Sequence, residues 1–131
     1  MYYFAYGLDI SKKQMRQMCP DAKPVSTALL PHYKLVFIGW DRKWRGGTAN
    51  IQYNRGARVM GAVYDVSERD LRYLDREFGC PTQADRLNVW AVPKEGDQVE
   101  AVTYLRKGQP EEPKPSPLYV AALRSAYAEW E

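Results

Sequence analysis

A chain of 131 residues with 45% hydrophobic side chains can bury one core and is too short for two. Its 27% charged residues and net charge of +3 are ordinary for a soluble domain, and no apolar run approaches the ~20 residues of a membrane span. Two cysteines, Cys19 and Cys80, and a single His32 carry no metal-ligand spacing; they argue against a zinc site and read as free thiols in a reducing compartment.

The N-terminal segment has no basic leader and no long apolar core, so it reads as a first strand rather than a signal peptide, and a cytoplasmic location is the expectation. In that strand, Tyr2 to Tyr6, residues Tyr2, Phe4 and Tyr6 share one face and Tyr3 and Ala5 the other. Gly7 ends it. Ser11 and Gln14 have the spacing of a capping box for a short helix to Met18, stopped before Pro20. Ser26 to Trp40 is rich in β-formers, and Pro31 inside it implies a bulge or an edge position. A turn at Trp44–Gly47 leads to a strand, Thr48 to Tyr53. Asn54-Arg55-Gly56 reads as a hairpin turn before the next strand, Arg58 to Val66.

Ser67 is a good N-cap, Glu68 and Asp70 place negative charge in the first turn of the helix it opens, and Gly79 suits the position after its end near Phe78. Strands follow at Leu87–Val92 and Val99–Leu105 around a turn at Glu95-Gly96-Asp97. The proline-rich stretch Gly108 to Pro117 must be a surface loop, and a last helix runs from Pro117 to about Trp130. The order β-α-β-β-β-α-β-β-α describes an α+β domain over residues 1–131, with a small mixed, mostly antiparallel sheet or barrel and flanking helices.

Six segments carry a resemblance. They are Tyr3-Phe4-Ala5-Tyr6-Gly7, Trp44-x-Gly46-Gly47-x-Ala49-x-Ile51, Val59-Met60-Gly61-Ala62-Val63-Tyr64, Asp70-Leu71-x-x-Leu74-Asp75, Thr103-Tyr104, and Pro115-Ser116-Pro117-x-Tyr119. In order and spacing, over residues 3 to 119, the set resembles the γ-glutamylcyclotransferase family, also called AIG2-like. Each piece is weak alone; the ordered set is specific for the fold.

The resemblance implies a transferase or lyase reaction in which the α-amine of a γ-glutamyl substrate attacks its own side-chain carbonyl, giving 5-oxoproline and a free amine. The nucleophile belongs to the substrate, so no cofactor is implied. The protein must supply a ring-closing geometry, a proton shuttle and donors to the developing oxyanion. The implied small-molecule site comprises Tyr6, Gly7, Leu8, Asp9, Ile10, Phe78 and Tyr119.

Three positions depart from the family pattern. Where the family reads L-D-x-x-E-G, with a glutamate that shuttles the proton, this chain reads Leu74-Asp75-Arg76-Glu77-Phe78-Gly79. Phe78 takes the glutamate's place, and Glu77, one residue early, is turned ~100° away on a regular helix. The family's S-N-M after Tyr-Gly is Leu8-Asp9-Ile10, and a tyrosine expected beyond the glutamate falls on Ala84. The candidate catalytic groups are therefore Asp9 and Glu77.

Plainer roles stand beside these. Asp9 could cap the helix near Ser11, Glu77 could be one charge on a solvated helix face, Phe78 could simply pack, and His32 has no carboxylate near it in sequence. A pocket kept without a proton shuttle would serve as a binding or regulatory module. The run Trp40-Asp41-Arg42-Lys43-Trp44-Arg45 would suit stacking on single-stranded nucleic acid, with Arg55 and Arg58 as further phosphate contacts. The resemblance already accounts for Trp44 and the glycines, which disfavours nucleic acid as a partner.

Overall fold

Strand β1 (Tyr2–Ala5) is apolar on both faces because both faces are covered. Phe4, with Tyr6 just beyond the strand, packs with the side chains that fill a barrel; Tyr3 and Ala5 pack with the helices outside it. The computed structural model describes residues 1–108 and 114–130. After β1 come a 3₁₀ turn (Leu8–Ile10), α1 (Lys12–Met18), β2 (Lys23–Asp41), β3 (Gly46–Asp65), α2 (Glu68–Phe78), β4 (Ala84–Pro93), β5 (Val99–Arg106) and α3 (Pro117–Ala128). The proline-rich loop expected at Gly108–Pro117 lies partly outside the described residues.

The five strands close a barrel in the order β1-β3-β2-β4-β5. All pairings are antiparallel except the closing one, where Tyr2 and Tyr3 of β1 run parallel to Ala101 and Val102 of β5. Leu30, Ile51, Val59, Val63 and Val89 fill the interior. A second core lies under the helices, where Met15 of α1, Leu71 and Leu74 of α2 and Ala126 of α3 meet Tyr3, Tyr64 and Tyr104. Full burial of each such large side chain contributes about 2 kcal/mol.

One expected element is corrected. The segments Thr48–Tyr53 and Arg58–Val66 are not separate strands around a hairpin turn; they are the two halves of β3. β3 pairs with β2 on both sides of Asn54–Gly56: Tyr53 faces Tyr33, Arg58 faces Pro31, and residues 54–57 bulge opposite His32. Gly56 takes φ +89°, and its N–H donates to His32 Nδ1 at 3.2 Å. Asn54-Arg55-Gly56 has turn-forming residues, but continued pairing on either side makes the segment a bulge, at the register shift beside Pro31. The real hairpin turn joins Asp41 to Gly46. Ser67 caps α2 and Gly79 closes it in the left-handed conformation, both as the sequence implies; Asp70 also completes a reciprocal box with Ser67.

Candidate active site

A cavity of about 610 Å³ opens where the turn after β1, the end of α2, the first residues of β3, the end of β5 and the start of α3 meet. Six of the seven side chains expected at a ligand site line it: Tyr6, Gly7, Leu8, Asp9, Phe78 and Tyr119. Ile10 is not among the lining residues. Its side chain is fully buried in the helix-side core, and its carbonyl accepts from Tyr64 Oη at 2.9 Å and Trp130 Nε1 at 2.8 Å.

Asp9 is 8% exposed, on a 3₁₀ turn that the chain enters directly from β1. It does not cap α1; Ser11 does, its hydroxyl accepting the Gln14 N–H at 3.3 Å. The Asp9 carboxylate instead accepts the Tyr3 hydroxyl at Oδ2 and the Gly7 N–H at Oδ1, the latter at 3.2 Å. Burial pushes its pKa above the ordinary aspartate range, and these hydrogen bonds only partly oppose that push. The same burial, with the Asp9 charge, raises Tyr3 well above an ordinary phenol, so Tyr3 stays a donor.

The other candidate carboxylate has a different setting. Glu77 lines the cavity from the exposed side of α2, at its rim. Phe78, half-buried, stacks nearly flat on Tyr104 with ring centroids 4.5 Å apart. Tyr104 in turn donates to Asp75, which Arg86 also holds, so the end of α2 is tied to β4 and β5.

Tyr119 lines the cavity from the first turn of α3. Ser116 caps α3 by accepting the Tyr119 N–H at 3.2 Å. The phenol oxygen accepts the Ala49 N–H at 2.8 Å, which leaves its own proton for another acceptor. Burial raises its pKa, so that proton is retained. Trp44 and Phe37 pack edge-on against the ring, with centroids at 5.5 and 6.3 Å.

Two polar residues escaped the reading of the sequence. Asn50, 4% exposed, sits between the buried Ala49 and Ile51. Its amide accepts the Arg106 N–H at 2.9 Å and donates to the Arg106 carbonyl at 3.0 Å. Arg106, the last residue of β5, lines the cavity, and its Nη1 donates to Thr48 Oγ1 at 2.7 Å and the Ala49 carbonyl at 2.9 Å. A polar residue inside an apolar strand, and a cation directly after the Thr103-Tyr104-Leu105 run, were the available signals. Among the described residues no cluster of His, Cys, Asp or Glu could hold a metal ion.

A model of the family described as Gamma-glutamyl cyclotransferase, AIG2-like, matches residues 3–124. In alignments of 122 positions that cover 89% of this chain, it is 30% identical to the Gamma-glutamylcyclotransferase of Homo sapiens and 28% identical to that of Mus musculus. It spans 64% of the length of each of these relatives. A solved structure described as Gamma-glutamyl cyclotransferase superposes with a TM-score of 0.90 at 27% identity, covering 99% of this chain and 79% of that one. An uncharacterized protein from Homo sapiens gives 0.89 at 27% identity, covering 98% and 79%.

Proposed function

This chain belongs to the γ-glutamyl cyclotransferase, AIG2-like family, and from that premise we propose that it cyclises a γ-glutamyl amine, peptide or related amide to 5-oxoproline, with Asp9 as the proton carrier. The observation that carries this reading is a buried carboxylate, Asp9, on the wall of the cavity and raised in pKa. One group must accept a proton from the attacking amine and return it to the leaving nitrogen. A carboxyl group with a raised pKa is matched to both halves of that transfer.

The substrate's α-amine attacks its own side-chain carbonyl as Asp9 takes the amine proton. The resulting tetrahedral oxyanion accepts the spare Tyr119 proton, a hydrogen bond that strengthens as charge develops. Protonated Asp9 then gives its proton to the leaving nitrogen, the C–N bond breaks, and the free amine departs from the lactam. Trp44 and Tyr119 enclose the folded substrate, which lowers the entropic part of the barrel-mouth reaction's barrier. Glu77, at the exposed rim, is the alternative proton carrier.

The test is incubation with a panel of γ-glutamyl dipeptides, read by mass spectrometry for 5-oxoproline. Product is expected from the wild type and Glu77→Gln, with a loss of about 100-fold or more in Asp9→Asn. Normal turnover by Asp9→Asn would remove Asp9 from the mechanism.

A second reading, a binding module without turnover, draws on one observation: Phe78 stacks on Tyr104 at the place where the family pattern has its glutamate. It predicts thermal stabilisation by γ-glutamyl ligands with no product from the wild type, and product from Phe78→Glu.

A further inference from the structure

Arg106 is held as a fixed guanidinium. The Asn50 amide occupies both of its backbone hydrogen-bonding groups, and Thr48 and Ala49 occupy Nη1. None of these partners is anionic, and Arg106 forms no ion pair among the described residues. The carboxylates that share its cavity are engaged or distant in role. Asp9 is held by Tyr3 and Gly7, Asp41 accepts the N–H groups of Lys43 and Trp44, and Glu77 faces solvent at the rim. The Nε–Nη2 edge, the one that grips a carboxylate with two parallel hydrogen bonds, makes no hydrogen bond within the described residues. No fully buried side-chain polar atom there lacks a partner, so this edge reaches solvent, and Arg106 lines the cavity.

We infer that Arg106 is the subsite for a substrate carboxylate. Ala49 links it to the proposed chemistry: its carbonyl accepts from Arg106 while its N–H donates to Tyr119. Asp9, Tyr119 and Arg106 therefore face one cavity, with Arg106 and Tyr119 joined through Ala49. That pairing of a carboxylate with a guanidinium fits a molecule carrying both an amine and a carboxylate. The carboxylate comes from the glutamyl half or from the leaving amino acid; both lie two bonds from a reacting nitrogen.

This inference rests on the cyclising reading for its substrate and on Arg106 alone for its binding. The experiment compares three ligands: γ-glutamylalanine, the same dipeptide with its alanine carboxyl amidated, and the same dipeptide with its glutamyl α-carboxyl amidated. Each is measured with wild type, Arg106→Gln and Arg106→Lys, both as KM and kcat and as calorimetric Kd. In the wild type, one of the two amides should bind roughly 10- to 100-fold more weakly than the parent. Arg106→Gln should erase that difference while binding that amide as wild type does. Arg106→Lys, which keeps charge without the fork, should fall between. The amide that loses the difference identifies which half supplies the carboxylate.

Equal weakening of all three ligands by Arg106→Gln, or full retention of the wild-type preference, would overturn the subsite and leave the cyclising reading intact. Arg106-dependent binding with no product from any ligand would overturn the cyclising reading and leave the subsite standing. No binding and no turnover would overturn both.

Discussion

A carboxyl group only 8% exposed, as Asp9 is, keeps its proton to higher pH than a solvated one, and this sets a cost against its proposed use. Its folded-state pKa is raised, so the native chain binds more protons than the unfolded chain between the unfolded aspartate pKa, about 3.9, and the folded value. Stability from this group is therefore present at low pH and lost as pH rises through the folded pKa. Asp9→Asn, neutral at every pH and able to accept from Tyr3, should unfold at higher urea than wild type at pH 8. That advantage should shrink toward pH 4. A constant difference across this range would contradict the burial argument.

Tyr119→Phe removes the acceptor of a buried N–H at Ala49. It should lower stability by about 1–2 kcal/mol in urea titration and kcat by roughly 10- to 100-fold. A kcat equal to wild type would confine the hydroxyl to a structural role. Asp9 was visible in the sequence as a new acid in a turn. Its burial was not, because that comes from Tyr3, six residues back on the outward face of β1, and from helices closing over it. Arg106 carries no such signal in the sequence, because its significance lies in Asn50 and Thr48, more than fifty residues away.

Among elements, the Trp44-x-Gly46-Gly47 and Pro115-Ser116-Pro117-x-Tyr119 segments look independent in sequence and are in contact in the fold. Gly47 N–H donates to the Lys114 carbonyl at 3.2 Å. A Cβ added at Gly46 would lie 2.7 Å from the Lys114 carbonyl oxygen and 2.9 Å from Ser116 N, both backbone atoms. Gly46→Ala must therefore push away the segment that caps α3 and aims Tyr119 at Ala49. A loss of about 2 kcal/mol and a raised KM are expected. Gly56→Ala is the contrast. It meets nothing within 4 Å, but φ is +89°, so it should lose about 1 kcal/mol through backbone strain alone and leave KM unchanged. Calorimetric unfolding with steady-state kinetics on both variants separates the two; equal effects on KM would break the link between this glycine and the site. The misread hairpin at Asn54–Gly56 belongs to this scale, since a turn and a bulge share residues and differ only in whether β2 continues alongside.

For the whole molecule, the sequence indicated a mixed, mostly antiparallel sheet or barrel, and closure was the part it left open. The β1–β5 pair that closes the barrel spans about a hundred residues and involves only Tyr2 and Tyr3 on the β1 side. Long-range pairing of so few residues leaves no periodic signal. Gly61 permits the neighbouring β1–β3 approach: a Cβ there would fall on the Ala5 carbonyl oxygen and 2.6 Å from Phe4 Cζ. Closure brings the end of β5, the start of β3 and the turn after β1 to one mouth, and the cavity lies there.

The pH dependence of kcat/KM for 5-oxoproline formation, measured on wild type, Asp9→Asn and Glu77→Gln, tests the central claim most directly. The wild type should lose activity as pH falls through a pKa above the ordinary aspartate range, because Asp9 must be ionised to take the amine proton. Glu77→Gln should keep that acidic limb, and Asp9→Asn should lie about 100-fold or more below wild type throughout. A limb that disappears in Glu77→Gln, or wild-type rates in Asp9→Asn, would contradict the assignment.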